Sequence, residues 1–279
     1  MPMPADRDDL NAFLEAAPRA AMVEVSQALG STPREAGAWM LVSPDALFGT
    51  IGGGQLEFMA IARARGMIEA GIASDVLDVP LGPEIGQCCG GRVEVAIGLL
   101  DDERRGRLRA RSADERARRP HVLLFGGGHV GRALAAALAL LPLTVTVVET
   151  RAEAIEGMPD AVSTVLTAVP EAIVRQAPPS SAFVVLTHDH ALDFLIVAEA
   201  LARADAAYVG MIGSATKRAT FASWYRREAG GDAAALARLV CPIGGEAVKD
   251  KRPSVIAALV AAEVLGSFHR AAVVGAVSG

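Results

Sequence analysis

The segment GQCCGGR, residues 86–92, sets Cys88 and Cys89 side by side among glycines. Thiolates are soft ligands and nucleophiles, and a glycine-bracketed loop can approach a bound group closely. The charge of Arg92 favours the thiolate form. Adjacent cysteines bridge only under strain, so the chemistry open to this loop is contact with a soft metal or sulfur centre, a persulfide, or redox sensing. Gln87 joins the two thiols as a candidate contact. The plain alternative is a pair of small turn residues without chemical consequence.

Two glycine-rich turns offer a different chemistry. In LLFGGGHVGRALA, residues 123–135, Gly126, Gly128 and Gly131 fit G-x-G-x-x-G. The first glycine permits a tight turn, the second lets backbone approach a phosphate, and the third permits close helix packing. The helix start then presents N–H groups and a positive dipole end to an anion. His129 stands inside the motif where a small neutral residue is usual, which weakens the case for ordinary nicotinamide dinucleotide binding. Glu149 follows about twenty residues later, where an acid commonly accepts ribose hydroxyls, and Arg151 beside it could meet an extra phosphate. The second turn, GGGQLE, brings Gly53, Gly54, Gln55 and Glu57 to a helix start. It reads equally as an anion cradle and as a strand-to-helix turn with Glu57 favourably placed in the first helical turn.

Further polar residues follow predicted strands. His188 and His190 in THDHALD lack a specific third ligand for a metal site. They suit contact to a bound cofactor, while Asp189 suits either such contact or helix capping. In GSATKR, Ser214 is placed to cap a helix whose first turn carries Lys217 and Arg218. Cations there oppose the helix dipole, an arrangement that makes sense if an anion binds. Cys241, at the end of a predicted strand, suits plain burial.

The elements that position these residues divide the chain in two. Residues 1–100 show strand patterns at 22–30, 38–43, 46–51 and 74–81, with a helix after the GGGQ turn. Residues 121–279 alternate strands at 121–125, 143–149, 163–167, 182–187, 207–213 and 238–244 with helical patterns, as in 192–204 and 215–228. That alternation predicts an α/β fold: a Rossmann-like, mostly parallel sheet with helices on both faces, preceded by a smaller mixed α/β domain. Between them, residues 101–120 hold eight arginines and five acids, the pattern of a charged, solvated linker or exposed helix.

Composition bounds the function. A net charge of −5 argues against a nucleic-acid binder, no apolar run is long enough for a membrane span, and the N-terminus does not read as a secretion signal, so a cytoplasmic protein is expected. Three cysteines without such a signal argue against a disulfide framework.

GSTPREAGAWMLV (30–42), TIGGGQLEFMAIARAR (50–65), LGPEIGQCCGGRVEV (81–95), LLFGGGHVGRALA (123–135), LTHDHALD (186–193), YVGMIGSATKRATF (208–221) and CPIG (241–244) together resemble the XdhC family of xanthine dehydrogenase accessory proteins. The resemblance spans almost the whole chain. It implies a chaperone for the molybdenum cofactor (molybdopterin), a carrier rather than a catalyst. Such a protein holds the cofactor while a NifS-like cysteine desulfurase replaces a molybdenum oxo ligand with sulfido, then inserts it into apo xanthine dehydrogenase. On this resemblance the phosphate is expected near Gly126–Gly131 or Lys217–Arg218, and the molybdenum end near Cys88 and Cys89, with no separate protein-held metal. Two rivals stand beside it: an NAD(P)-binding oxidoreductase, for which no Tyr-Lys pair is identifiable, and a nucleotidyltransferase, for which no G-x-x-x-x-G-K-[ST] segment exists. Self-association is left open.

Overall fold

The computed structural model describes residues 10–82, 90–245 and 248–277, and the chain separates into two compact units at Ala117/Arg118. In the first, α1 (Leu10–Ala16) precedes β1 (Ala21–Leu29), β2 (Trp39–Val42), β3 (Leu47–Gly49), α2 (Gly54–Ala70), β4 (Ser74–Pro80), β5 (Arg92–Leu99) and α3 (Asp102–Ala117). The five strands form an antiparallel sheet ordered β3-β2-β1-β5-β4.

Alternation along the strands decides which side chains meet which helix. Ala21, Val23 and Val25 of β1 join Val93, Val95 and Ile97 of β5 in a core with Leu56, Ala60, Ala64 and Met67 of α2. Strand β2 is buried throughout: Met40 and Val42 belong to that core, while Trp39 and Leu41 pack with Phe48, with Leu10 and Leu14 of α1, and with Leu108 of α3.

The charged run at 101–120 is therefore not a spacer, and the first unit extends past residue 100. Most of it is α3, which rests on the first unit through Leu108 and the buried Arg105. The Arg105 guanidinium donates to the carbonyls of Leu14 (2.9 Å), Ala17 (2.8 Å) and Pro18 (2.7 Å). These lie at the C-terminal end of α1, where a helix leaves carbonyls unsatisfied. One arginine among eight thus works as an internal cap.

The second unit runs β6 (His121–Phe125), α4 (His129–Leu138), β7 (Thr144–Glu149), β8 (Ser163–Leu166), α5 (Pro170–Gln176), β9 (Ala182–Val185), α6 (His190–Ala202), β10 (Tyr208–Met211), α7 (Ala215–Arg227), α8 (Ala233–Ala237), β11 (Leu239–Val240) and α9 (Pro253–Val277). All six strands are parallel, in the order β11-β10-β9-β6-β7-β8. The central strands are buried on both faces, which explains their unbroken apolar runs. Leu134 and Leu138 of α4 pack with Val260 and Val264 of α9 against one face. Val174, Ile196, Phe221 and Leu236, from α5, α6, α7 and α8, cover the other.

The strand expected over 238–244 shrinks to Leu239–Val240, because Pro242, two residues on, has no N–H for a ladder. Among the described residues, no helix is long and apolar enough to cross a membrane.

Candidate functional site at the carboxyl edge of the parallel sheet

Numbered within its own sheet, the strand order of the second unit is 6-5-4-1-2-3. From β6 the chain steps to β7 on one side, and later returns to β9 on the other. The loops after β6 and β9 therefore diverge and leave a crevice at the carboxyl edge, the place where such sheets bind ligands.

The turn after β6 is built on glycines, but for different reasons. Gly126 has φ +122°, and a Cβ there would lie 2.4 Å from the Leu186 carbonyl oxygen. At Gly127 it would lie 2.3 Å from the oxygen of Ala154, and at Gly131 2.0 Å from that of Gly126. Packing alone forces these three to be glycine. Gly128 differs: its φ is −67°, open to any residue, and a Cβ would meet nothing within 4 Å. Neither backbone strain nor a neighbour among the described residues demands glycine there. Gly128 also begins α4, and no side chain among the described residues caps that helix. Gly128 and His129 are both exposed.

Glu149 ends β7 and is only 4% exposed. Its Oε2 accepts the N–H of Gly127 (2.9 Å) and Nη2 of Arg151 (3.2 Å), and Oε1 accepts the N–H groups of Thr150 (2.8 Å) and Arg151 (3.2 Å). Burial by itself would raise the pKa of this carboxyl. The Gly127 and Thr150 N–H groups and the Arg151 guanidinium outweigh it and hold the value down at about 2. The carboxylate expected to face a ribose is thus spent on the glycine turn, and Arg151 is spent on the carboxylate.

The loops after β9 and β10 are tied together. Asp193 of α6 is fully buried and accepts the N–H (3.0 Å) and hydroxyl (2.7 Å) of Thr187 at Oδ1, while Oδ2 takes the ammonium of Lys217. Lys217 is therefore neutralised inside the unit and corrects the expectation of a cation offered to a ligand. Asp189 caps α6 by accepting from Ala191 (2.8 Å), and Ser214 caps α7 by accepting from Lys217 (3.3 Å). His188, His190 and Arg218 remain exposed on this edge.

Cys241, just past β11, is half-buried. Burial pushes its thiol up, with Lys217 and Arg218 pulling the other way and Asp193 adding to the rise. Tyr208 is likewise raised, by burial and then by Glu263, to whose carboxylate it donates (2.7 Å).

In the first unit, the GGGQ turn is filled by the chain's own anion. Oε2 of Glu57 accepts the N–H groups of Ile51 and Gly53, both at 3.1 Å, and the hydroxyl of Thr50 at 2.5 Å. Of the two readings of Glu57, the structure takes the internal one. Gly54 and Gln55 are exposed at the start of α2. Gln87, Cys88 and Cys89 lie outside the described residues. Among those described, no group of three or more His, Cys, Asp or Glu side chains is arranged to hold a metal ion.

Three contributors were invisible to motif reasoning: Gly127, an unassigned position of G-x-G-x-x-G, and Thr187 and Asp193, whose partner is 24 residues away in sequence. An acid at the fourth position of a helix following a capping Asp was the available signal for Asp193.

A six-stranded parallel sheet with a glycine turn at its switch point defines this unit as a Rossmann-type domain. Residues 122–264 match the XdhC Rossmann domain, and residues 13–79 match the XdhC and CoxI family. The chain belongs to the XdhC family. It is 27% identical over 263 residues to the uncharacterized protein YqeB of Escherichia coli K12, an alignment covering 88% of this chain and 43% of that protein. The chain thus spans less than half the length of that relative. A crystal structure from Bacillus halodurans, described as a xanthine dehydrogenase, superposes with a TM-score of 0.80 over 96% of both chains at 16% identity, a likeness of fold.

Proposed function

We propose that this protein carries the molybdenum cofactor, holds it during sulfuration by a cysteine desulfurase of the NifS kind, and passes it to apo xanthine dehydrogenase. Family membership supports the maturation role. The observation that carries the binding site is Gly128, a glycine that nothing among the described residues requires, at the start of a helix that none of their side chains caps, on the switch point. That combination suits a phosphate ester, which needs close backbone approach and unpaired N–H donors.

When bound, the cofactor supplies a molybdenum-dithiolene centre with an exchangeable terminal ligand. The chain's part is to bind and shelter it. Gly128 and the first turn of α4 would take the phosphate, with Gly126 and Gly131 fixing the turn. His129, His188 and Arg218 are exposed on the same edge and available to the polar rim of a ligand. Cys88 and Cys89, with Gln87, are assigned to the molybdenum and its sulfur on chemical grounds, as soft donors. In this reading the protein is a carrier and not a catalyst.

The NAD(P)-dependent reading is disfavoured by Glu149. Its two oxygens are engaged with Gly127, Thr150 and Arg151, so a ribose would have to break an internal lock. The test is to express the full chain in a cofactor-producing host and measure molybdenum and the fluorescence of oxidised pterin. Stoichiometric cofactor, reduced by Cys89→Ala, is the expected result. Empty protein that instead binds nicotinamide dinucleotide would sink the proposal.

A further inference from the structure

The antiparallel sheet of the first unit is covered unevenly. One face packs on α2. On the other, Leu10 and Leu14 of α1 and Leu108 of α3 pack on Trp39 and Leu41 of β2 and on Phe48 of β3. That leaves β5 and β4 at the open side of the same face. Register sets Met22, Gly98 and Ser74 in one row across β1, β5 and β4, and Glu24, Ala96 and Val76 in the next. Val76 is 55% exposed, and Ala96 and Gly98 are half-buried. Together with α3 these residues bound a cleft of about 520 Å³. Its middle strand carries only a methyl and a hydrogen, so an apolar ridge can come close to the backbone of β5.

The wall on the α3 side is cationic. Arg104, Arg107 and Arg111 line the cleft, and their i, i+3, i+7 spacing puts them on one stripe of the helix. The Arg104 guanidinium donates to the Leu99 carbonyl and meets no carboxylate among the described residues. Arg107 pairs with Glu103 of its own helix with both side chains exposed, a contact that contributes little and yields to a competing carboxylate. Arg111 is more committed, to Glu115 at 3.2 Å and Glu24 at 3.5 Å, with its guanidinium over the Trp39 ring. The two acids of the lining are both engaged, Glu24 by Arg111 and Asp75 by Arg63.

The edge of the sheet is guarded, whereas its face is open. Along the outermost strand, β4, Asp75 and Asp78 are paired with Arg63 and Arg92, and the strand ends at Pro80. Charges and proline are devices that resist addition of another strand. The two strands β5 and β4 together are about 10 Å wide, the diameter of one helix. We propose that this half-face is a docking surface for an acidic amphipathic helix of a partner protein, lying beside α3. Its apolar stripe covers Ala96, Gly98 and Val76, and its carboxylates meet Arg104 and Arg107, a helix-in-groove mode of recognition. The surface belongs to the first unit and does not rest on the cofactor reading.

The test is fluorescence anisotropy of the full chain with capped helical peptides of about 20 residues, long enough to hold a helix. The peptides share one stripe of leucine and alanine and carry glutamate, glutamine or lysine along its flank. The glutamate peptide is expected to bind saturably and more weakly as salt is raised, with the glutamine form at least about fivefold weaker and the lysine form weaker still. Val76→Glu and Arg107→Glu alter exposed side chains, so each should keep the wild-type melting temperature while weakening the glutamate peptide about fivefold or more. Arg107→Glu should also bind the lysine peptide more tightly than wild type does, a swap that loss of structure would not produce. The proposal is overturned if the glutamate peptide does not bind, if the three peptides bind alike, or if both variants bind the glutamate peptide as wild type does. It is equally overturned if the chain is a dimer that Val76→Glu dissociates, since a second copy then covers the face.

Discussion

Lys217 donates its ammonium to the buried carboxylate of Asp193, joining the first turn of α7 to α6 across two neighbouring loops of the carboxyl edge. The other oxygen of Asp193 holds Thr187, so two residues from two other segments share one carboxylate. A buried ion pair is weak evidence for stability, because desolvation offsets attraction, but removing one partner strands a charge. Lys217→Met should therefore cost about 3–5 kcal/mol in urea unfolding. Asp193→Asn/Lys217→Met keeps an acceptor for Thr187 and strands no charge, so it should cost clearly less than Lys217→Met alone. Equal costs for the two variants would show that the pair's charge is unimportant and only packing was lost.

Glu149 gives the fold an acid-sensitive joint. Its folded pKa, about 2, lies below the ordinary glutamate value, so the ionised form favours the native state. The stability it contributes is complete above the unfolded pKa and drains away as pH falls through the folded one. For a shift of this size the contribution is about 3 kcal/mol, lost between roughly pH 5 and 2. Glu149→Gln should melt below the wild type at pH 6, and the gap between the two melting temperatures should close as pH is lowered to about 2.5. A gap that stays constant with pH would assign the loss to shape instead of charge.

Cys241 offers a chemical readout of the same edge. Its thiol is raised first by burial, and Arg218 is one of two cations that limit the rise. Arg218→Ala removes that charge, leaving less thiolate at a given pH. In a Cys88→Ser/Cys89→Ser background, iodoacetamide should label Cys241 slowly at pH 8, and more slowly still after Arg218→Ala. Faster labelling would mean that the arginine shields the thiol rather than supporting its anion.

Much of this arrangement is legible in the amino-acid order because it rests on local repetition. HVLLF and AFVVLT announce strands buried on both faces, and GGGHVG announces the turn between the first strand and its helix. What the order does not display is how polar groups find partners. Glu149 stands at the position expected for ribose contact, yet its oxygens turn inward to Gly127, Thr150 and Arg151. Glu57 likewise turns into its own glycine loop. Arg105 looks like any of its seven arginine neighbours in 101–120 until the carbonyls of Leu14, Ala17 and Pro18 are brought beneath it. Each outcome depends on backbone donors or acceptors assembled by tertiary contact, and those leave no periodic trace in sequence.

The glycine turn separates folding from binding, one residue at a time. Gly131→Ala places a methyl 2.0 Å from the Gly126 oxygen, and Gly126→Ala adds a left-handed φ to a 2.4 Å clash with the Leu186 oxygen. Backbone cannot yield cheaply, so each should destabilise by about 2–4 kcal/mol, combining overpacking with strain. Gly128→Leu places its Cβ at least 4 Å from any described neighbour, at an exposed position with an ordinary φ, so its melting temperature should stay within a degree or two of wild type, as surface substitutions usually do. What it should lose is ligand: a bulky side chain fills the space a phosphate needs and screens the first N–H groups of α4. Thermal melts of the three variants, followed by molybdenum and pterin assay of whatever each carries, distinguish the roles. A Gly128→Leu protein that is stable and still fully loaded would place the anion somewhere other than the α4 turn.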